Sequence, residues 1–266
     1  MALPPILCYH KIERRRELGV TRLSPRRFAR QIERLAERGW RTIGSSELAA
    51  CAAGTRPAGA RELAITFDDA YRGLRDHAFP VLAAHAFRAI TFVITDFAGR
   101  LNRWDVAYGR RRFAHLAWRD MRRWQERGIE FASHTASHPR LTWLNASGVA
   151  SELDRSRRAI EDALDIECGT VSYPFGAQGA RERRLARASG YTLGFTLARP
   201  WRGDPLAIPR HPVYAWSPPT PGVGAFASIE RVAAAAANRC AVGTSLLLSR
   251  PTRSTSRSPE AAPDAG

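Results

Sequence analysis

The chain contains 266 residues, of which 44% are hydrophobic and 25% are charged, so it is long enough to bury a substantial core. This ordinary globular composition excludes collagen-like, wholly disordered and disulfide-scaffold proteins. Basic residues outnumber acidic ones by 41 to 25, and the resulting net charge of +16 favours anionic partners such as a polysaccharide, a membrane surface or a nucleic acid, without choosing among them.

Apolar runs alternate with helical patterns along most of the chain. Predicted strands lie at 5–9, 40–43, 63–67, 89–95, 129–132, 170–173 and 192–197. Predicted helices lie between Ser24 and Gly39, from Ser46 onward, and at about 71–84, 118–127, 147–164 and 179–190. This alternation predicts a parallel α/β architecture, either a barrel or a doubly wound sheet. We expect a single domain over 1–245 and a disordered Ser/Pro/Arg-rich tail over 246–266.

The cysteines and the N-terminus bear on where the protein works. Cys8, Cys51, Cys168 and Cys240 lie far apart, which indicates neither a disulfide framework nor a zinc knuckle and favours a reducing compartment. The N-terminus has no basic region before its short apolar stretch, and no run approaches the roughly 18 apolar residues of a membrane span. We therefore expect a cytoplasmic protein, although a start site placed downstream of a leader would look the same. Peripheral membrane contact is compatible with the charge.

Two adjacent carboxylates, Asp68 and Asp69, follow the apolar run at 63–67. Leaving a buried strand, they are costly unless a cation or hydrogen-bond donors receive them. Their side chains can diverge where the strand turns into a loop, one toward a metal and one toward a water. From this motif alone, two solvated aspartates, or Asp69 as the cap of the next helix, explain the pattern equally well.

Two histidines, His134 and His138, follow the run at 129–132. Residues four apart face the same way on a helical turn, and this spacing suits one divalent ion. Chance pairs of this kind also occur on exposed helices. One aspartate with two histidines would give a three-ligand site that leaves room for water, as in hydrolytic zinc centres.

The segment Tyr173-Pro174-Phe175-Gly176 follows the next predicted strand. Proline and glycine after a strand are ordinary turn residues, so this motif is weak alone. Its position matters because parallel α/β folds, and barrels above all, place their chemistry at the C-terminal ends of strands.

Taken in this order, the segments TFDDAYRGL (66–74), SHTASHPRL (133–141) and SYPFG (172–176) resemble the NodB-homology polysaccharide deacetylases of the fourth carbohydrate-esterase family. PILCYHKI (5–12), the stretch beginning at Leu23 and NRWD (102–105) resemble a bacterial subgroup of that family. The resemblance covers about residues 5–215. It implies a distorted (β/α)7 barrel that hydrolyses N-acetyl groups of an amino-sugar glycan, or of its precursor, with the help of a metal.

Carried over by position, the resemblance implies that Asp69, His134 and His138 hold one divalent ion and that Asp68 is the general base. Zinc fits these ligands, and cobalt, nickel or iron would also be accepted. The ion would polarise the acetamide carbonyl and activate water, while a backbone N–H in the segment from Tyr173 to Phe175 would stabilise the oxyanion.

The sequence departs from the family pattern at three points. Ser172 stands where the family commonly has an arginine that orients the catalytic aspartate, and Arg210 is a candidate substitute. A terminal histidine that serves as the general acid is missing; His211 is the first candidate and His10 the second. Ala70 stands where a glycine is usual, so the turn there needs an allowed φ.

Aromatic and further polar residues complete the expected substrate site. Pro174, Phe175, His10, Arg210 and Trp104 are the expected substrate contacts. Among the tryptophans, Trp104, Trp201 and Trp216 are candidates for stacking on sugar rings, although such residues more often cap a core. We expect His77, His85 and His115 to be exposed.

Three other functions compete with a glycan deacetylase. A hydrolase of a non-sugar amide would need the same metal and base. A carbohydrate-binding pseudoenzyme would explain the missing arginine and histidine, although it would not need a base beside a metal triad. A nucleic-acid binder has only the charge in its favour, so we expect no specific nucleic-acid partner.

Overall fold

The computed structural model describes residues 3–15, 21–102, 112–197, 200–218 and 220. Its strands are β1 (Ile6–Tyr9), β2 (Lys11–Ile12), β3 (Arg22–Leu23), β4 (Arg41–Thr42), β5 (Glu62–Phe67), β6 (Ala89–Val93), β7 (Ile129–Ser133), β8 (Thr170–Ser172), β9 (Leu193–Leu197) and β10 (Ile208–Pro212). Its α-helices are α1 (Pro25–Glu37), α2 (Ser45–Ala53), α3 (Gly73–His77), α4 (Phe79–Ala84), α5 (Trp118–Gln125), α6 (Ala146–Leu164) and α7 (Ala180–Ala188).

Seven parallel strands close into a barrel in the order β1-β10-β9-β8-β7-β6-β5, and β5 returns to β1. The short β4 pairs with β5 outside this ring. The closing pairs include Leu7 with Ile65 and Leu7 with His211. This architecture confirms the expected (β/α)7 barrel and excludes the doubly wound sheet.

Alternate residues of each strand face two different cores, because side chains alternate across a strand. The inward set, which includes Ala64, Ile90 and Phe195, forms a buried cluster inside the barrel. The outward set, which includes Leu7 and Phe131, packs in a second cluster with the surrounding helices. The strands are apolar on both faces for this reason, as expected of a parallel barrel.

Helix α1 begins as its sequence predicts. The hydroxyl of Ser24 accepts a hydrogen bond from the Arg27 amide at 3.4 Å, and Pro25 occupies the first helical position. Phe28 and Ile32 are buried on the face that packs against the barrel.

The helix predicted over about 71–84 is wrong in its continuity, since α3 and α4 are separate and meet at Ala78. Pro80 lies at the start of α4, and a proline cannot donate the amide that a continuous helix requires. The sequence does not predict strand β10, because Pro209 and Pro212 are more typical of a loop than of a strand.

In the part of the chain that the structure describes, no helix is both long and apolar enough to cross a membrane. Trp104 and the segment 246–266, for which we expected a sugar contact and a disordered tail, lie outside the described residues.

Candidate active site

Polar side chains converge at the C-terminal ends of four barrel strands. Asp68 follows β5, His134 follows β7, and His10 follows β1, while Arg210 lies within β10. Asp68, His134 and Arg210 are each at most 3% exposed. Because the carboxyl ends of parallel strands open at the same end of a barrel, residues far apart in sequence meet here.

Asp69, His134 and His138 bring one ligand atom each within 4.8 Å of one another. The Oδ1 atom of Asp69 lies 3.5 Å from His134 Nε2 and 3.7 Å from His138 Nε2. The Nδ1 atom of His134 lies 2.8 Å from the Ser172 carbonyl oxygen, to which it donates, so its Nε2 carries the lone pair that faces the cluster. One carboxylate and two imidazoles are a donor set that fits zinc or a neighbouring divalent metal.

Backbone conformation, rather than a helix, brings these three ligands together. The segment 134–138 is an irregular loop, so the helical turn expected for the two histidines is wrong. Thr135 has φ 67° and His138 has φ 64°, both in the left-handed region. Asp69 and Ala70 also have positive φ, 70° and 50°, so the alanine occupies the strained turn position that a glycine would adopt freely.

Arg210 forms a bidentate ion pair with Asp68. Its two terminal nitrogens lie 2.7 Å from Oδ1 and 2.8 Å from Oδ2 of that carboxylate. One of them also donates to the Ser172 hydroxyl at 2.8 Å, and the guanidinium lies against the rings of Phe92 and Phe195. The arginine that the family pattern places at position 172 is therefore replaced in space by one from β10.

The ion pair determines the charge of Asp68. Burial alone would raise the pKa of this carboxyl, but the charge of Arg210 and its hydrogen bonds hold the pKa well below its usual range. Burial also lowers the pKa values of His134 and His138, and it lowers that of His10 to about 4. The three imidazoles are therefore neutral in the metal-free protein at neutral pH, which is the form that binds a metal ion.

The two candidates for the general acid lie on different faces of the barrel wall. His10 points inward, with Nε2 at 4.0 Å from Asp68 Oδ2 and its side chain 18% exposed. His211 follows the inward-facing Arg210 and pairs with Leu7, so its side chain points away from the cluster. The geometry favours His10 over His211 for this role.

The expected contacts from the third motif are close to the ligands. The ring of Phe175 packs edge-on against His138 with centroids 4.9 Å apart, and Phe175 has φ 61°. Pro174 is buried directly before it. Phe175 therefore lies directly beside the cluster of Asp69, His134 and His138.

None of the three histidines expected to be exposed is so, and a thiol near the site was not predicted. His77 and His85 are half-buried. His115 is 2% exposed, and its Nδ1 lies 2.5 Å from the Asp69 carbonyl oxygen. The Sγ atom of Cys8 lies 3.5 Å from Asp68 Oδ2. Period-two alternation along β1 places Cys8 on the same face as His10, which is a signal that would have found it. Trp216 is exposed, as a sugar-stacking residue would be.

The sequence of this chain matches the model of a known protein family. The sequence model described as polysaccharide deacetylase matches residues 55–194, which is more than half of the chain. The curated protein YxkH of Bacillus subtilis (strain 168), whose name places it among polysaccharide deacetylases, is 26% identical over 192 residues, or 72% of this chain. The aligned part spans 63% of the length of that relative.

Solved structures share the barrel. A deacetylase of Streptococcus pyogenes, PplD in complex with acetate, superposes with a TM-score of 0.71 at 21% identity, covering 81% of this chain and 94% of that one. IcaB from Ammonifex degensii gives a TM-score of 0.68 at 23% identity, covering 79% and 91% of the two chains. With the barrel, the ordered motifs and the family match in place, the chain belongs to the polysaccharide deacetylase family.

Proposed function

We propose that this protein is a metal-dependent hydrolase that removes N-acetyl groups from an amino-sugar glycan or its precursor. The observation that carries the proposal is a second carboxylate beside the ligand triad. Asp68 Oδ2 lies 3.9 Å from His134 Nε2, yet Arg210 holds both oxygens of this carboxylate. A carboxylate next to a metal triad but engaged by an arginine is placed to accept a proton rather than to bind the metal.

Asp69, His134 and His138 are the residues that would hold the metal. A divalent ion bound there supplies Lewis-acid polarisation of the amide carbonyl and increases the acidity of water. The chain itself contributes the base: Asp68 is ionised at neutral pH and faces the triad through Oδ2, so it accepts the proton that the attacking water loses. Arg210 fixes the orientation of that carboxylate through two parallel hydrogen bonds.

Expulsion of the amine requires a proton on the leaving nitrogen, because an amide anion is too poor a leaving group at neutral pH. His10 is neutral in the resting protein and lies 4.0 Å from the oxygen of Asp68 that takes the proton. We assign to His10 the transfer of this proton from the base to the amine.

A backbone amide is available for the developing oxyanion. In the stretch 173–177, the amides of Tyr173, Gly176 and Ala177 donate within the chain, and Pro174 has no N–H. Phe175 supplies the remaining amide, beside His138. A hydrogen bond from this N–H to a tetrahedral oxyanion would stabilise the transition state.

The ion pair of Arg210 and Asp68 also weakens the argument for a carbohydrate-binding pseudoenzyme. That alternative depended on the missing arginine at position 172 and on the missing terminal histidine, and the place of the arginine is taken by Arg210 from β10. A protein that only bound glycans would have no need of a buried, paired carboxylate beside a ligand triad, since burying such a pair is costly.

Acetate release tests this proposal. Zinc-loaded protein would be incubated with N-acetylglucosamine oligomers and, separately, with an N-acetylated amino acid as a non-sugar amide. We expect zinc-dependent acetate release from the oligomers, faster by at least about 100-fold than from the amino acid, because ring contacts add to transition-state binding. Release from the amino acid alone would favour the non-sugar amidase, and binding of oligomers without release would favour the pseudoenzyme.

A further inference from the structure

The loop that carries the two histidine ligands is strained and needs outside support. Thr135 is β-branched and has φ 67°, a conformation that such residues rarely adopt, and His138 has φ 64°. Within the loop, Ser133 Oγ accepts from the Thr135 amide at 3.1 Å, and Thr135 Oγ1 accepts from the His138 amide at 3.1 Å. A strained conformation persists only where the surrounding structure holds it.

Helix α6 supplies that support through two side chains. Glu152 accepts from the Ser137 amide at 2.8 Å through one carboxylate oxygen and from the Ser137 hydroxyl at 2.7 Å through the other. One turn further along, the Ser156 hydroxyl lies 2.7 Å from the Ser133 hydroxyl. These hydrogen bonds therefore hold the loop at Ser133 and at Ser137, on either side of Thr135.

The position of these two residues on α6 is unusual for polar side chains. Glu152 and Ser156 lie on the buried face of the helix beside Val149, Leu153 and Ile160, with exposures of 9% and 0%. Their spacing of four residues places both on one side of the helix. Burying a carboxylate and a hydroxyl in an apolar stripe is costly unless each is hydrogen-bonded, and here the bonds go to the ligand loop.

We propose that Glu152 and Ser156 are positioning residues that set the affinity of the Asp69–His134–His138 cluster for its metal ion. They act through Ser137 and Ser133 and do not contact the ligands' coordinating atoms. This inference rests on the metal binding of the proposed function, but not on the identity of the substrate. Outer residues that orient metal ligands typically change metal affinity by about 10- to 100-fold when removed.

The test measures zinc affinity by competition with a chromophoric chelator, together with the melting temperature of the metal-free protein. In Glu152→Ala both contacts to Ser137 are lost, and we expect zinc affinity to fall by about 10- to 100-fold. In Glu152→Gln the amide can still accept from the Ser137 N–H and donate to its hydroxyl, so affinity should stay within about threefold of wild type. Ser156→Ala, a milder change, should weaken zinc binding in the same direction.

Matched controls come from the exposed face of the same helix. Asp162→Ala removes an exposed acidic residue and Ser151→Ala an exposed serine, and both should bind zinc as the wild type does. A positioning role also requires that zinc raise the melting temperature of Glu152→Ala less than that of the wild type.

Three results would overturn the inference. Unchanged zinc affinity in both Glu152→Ala and Ser156→Ala would show that α6 does not position the ligands. Equal losses in Glu152→Gln and Glu152→Ala would assign the effect to charge rather than to geometry. Absence of zinc binding by the wild type would show that the Asp69–His134–His138 cluster is not a metal site. Zinc binding without deacetylation would contradict only the proposed function.

Discussion

Arg210 is the residue on which the charge and orientation of the proposed base depend. Its two hydrogen bonds to Asp68 are the parallel fork that a guanidinium forms with a carboxylate and that an ammonium cannot reproduce. The pair is buried, so solvent does not substitute for a lost contact. The identity of the side chain at position 210 should therefore matter beyond its charge.

We expect Arg210→Lys to lower kcat by roughly 10- to 100-fold, because it keeps the charge but loses the paired geometry that orients Asp68. Fewer hydrogen bonds to the carboxylate should raise its pKa. The base must be ionised to act, so the acidic limb of the kcat/KM profile should move to higher pH. Because the pKa of Asp68 lies below its usual range, steady-state kinetics would extend down to about pH 3 to follow this limb in the variant.

Ser172→Ala is the matched control for that variant, since it removes only one hydrogen bond to Arg210. Its loss of activity should be smaller than that of Arg210→Lys, because Arg210 keeps both hydrogen bonds to Asp68 and the carboxylate stays oriented. A wild-type kcat in Arg210→Lys would contradict the assignment of Asp68 as a base oriented by Arg210.

If His10 is the general acid, replacing His10 and replacing His211 should have different effects on kcat. His10→Gln should lower kcat by about 10²- to 10⁴-fold, the usual contribution of a positioned acid or base. His211→Gln should leave kcat within a few-fold of wild type, because the side chain lies on the outer face of β10. Parallel kinetics of the two variants would decide, and a larger loss in His211→Gln would reverse the assignment.

At the scale of elements, Glu62 at the start of β5 anchors the loop that precedes the strand. Its carboxylate, 1% exposed, pairs with Arg56 and Arg41 and accepts from the Gly59 amide at 2.8 Å. The hydrogen bond from Arg56 is the largest cause that lowers the pKa of Glu62 below its usual 4.5. β5 in turn positions Asp68 and Asp69, so this anchor lies at the opposite end of the strand from the site.

Glu62→Gln should lower the free energy of unfolding by about 2 kcal/mol at neutral pH, because two arginines and an amide lose a charged acceptor. A carboxyl with a lowered native pKa stabilises the fold above its unfolded pKa, and this stabilisation is lost as pH falls through the native pKa. The difference between variant and wild type should therefore shrink below pH 4.5.

Denaturant unfolding at several pH values would measure this difference. Glu126→Gln, which changes an exposed glutamate after α5, is the control and should behave as the wild type. A difference that stayed constant below pH 4.5 would mean that the charge of Glu62 is not what stabilises the anchor.

At the scale of the whole molecule, metal binding and folding are linked, because the ligands come from loops after β5 and β7 and meet only in the folded barrel. Zinc at about 100 times its dissociation constant should add about 2.7 kcal/mol to the free energy of unfolding. For a chain of this size that corresponds to a rise of roughly 5–10 °C in Tm.

Calorimetry with and without zinc would measure the rise, and a chelator should reverse it. His138→Ala removes one ligand and should abolish most of the zinc-dependent gain. His85→Ala, which changes a half-buried histidine far from the cluster in sequence, should retain it. A gain that survived in His138→Ala would place the stabilising ion elsewhere.

The alternation of apolar runs with helical patterns predicts a parallel α/β architecture, and the resemblance of three motifs to one family narrows this to a barrel and identifies both carboxylates and both histidines. The sequence does not predict β10, because the two prolines of this strand are typical of a loop. It also does not predict the backbone conformation of 134–138, since a spacing of four residues arises in loops as well as in helices. The pairing of Arg210 with Asp68 joins residues 142 apart. The family resemblance made Arg210 a candidate for this contact, but no local spacing encodes it.

The most direct test of the central claim is acetate release by Asp68→Asn compared with the wild type, with zinc affinity measured on the same samples. The account predicts that zinc affinity stays within about threefold while acetate release from N-acetylglucosamine oligomers falls by about 10²- to 10⁴-fold, because the base is removed and the ligands remain. Release at the wild-type rate by a zinc-loaded Asp68→Asn protein would contradict it.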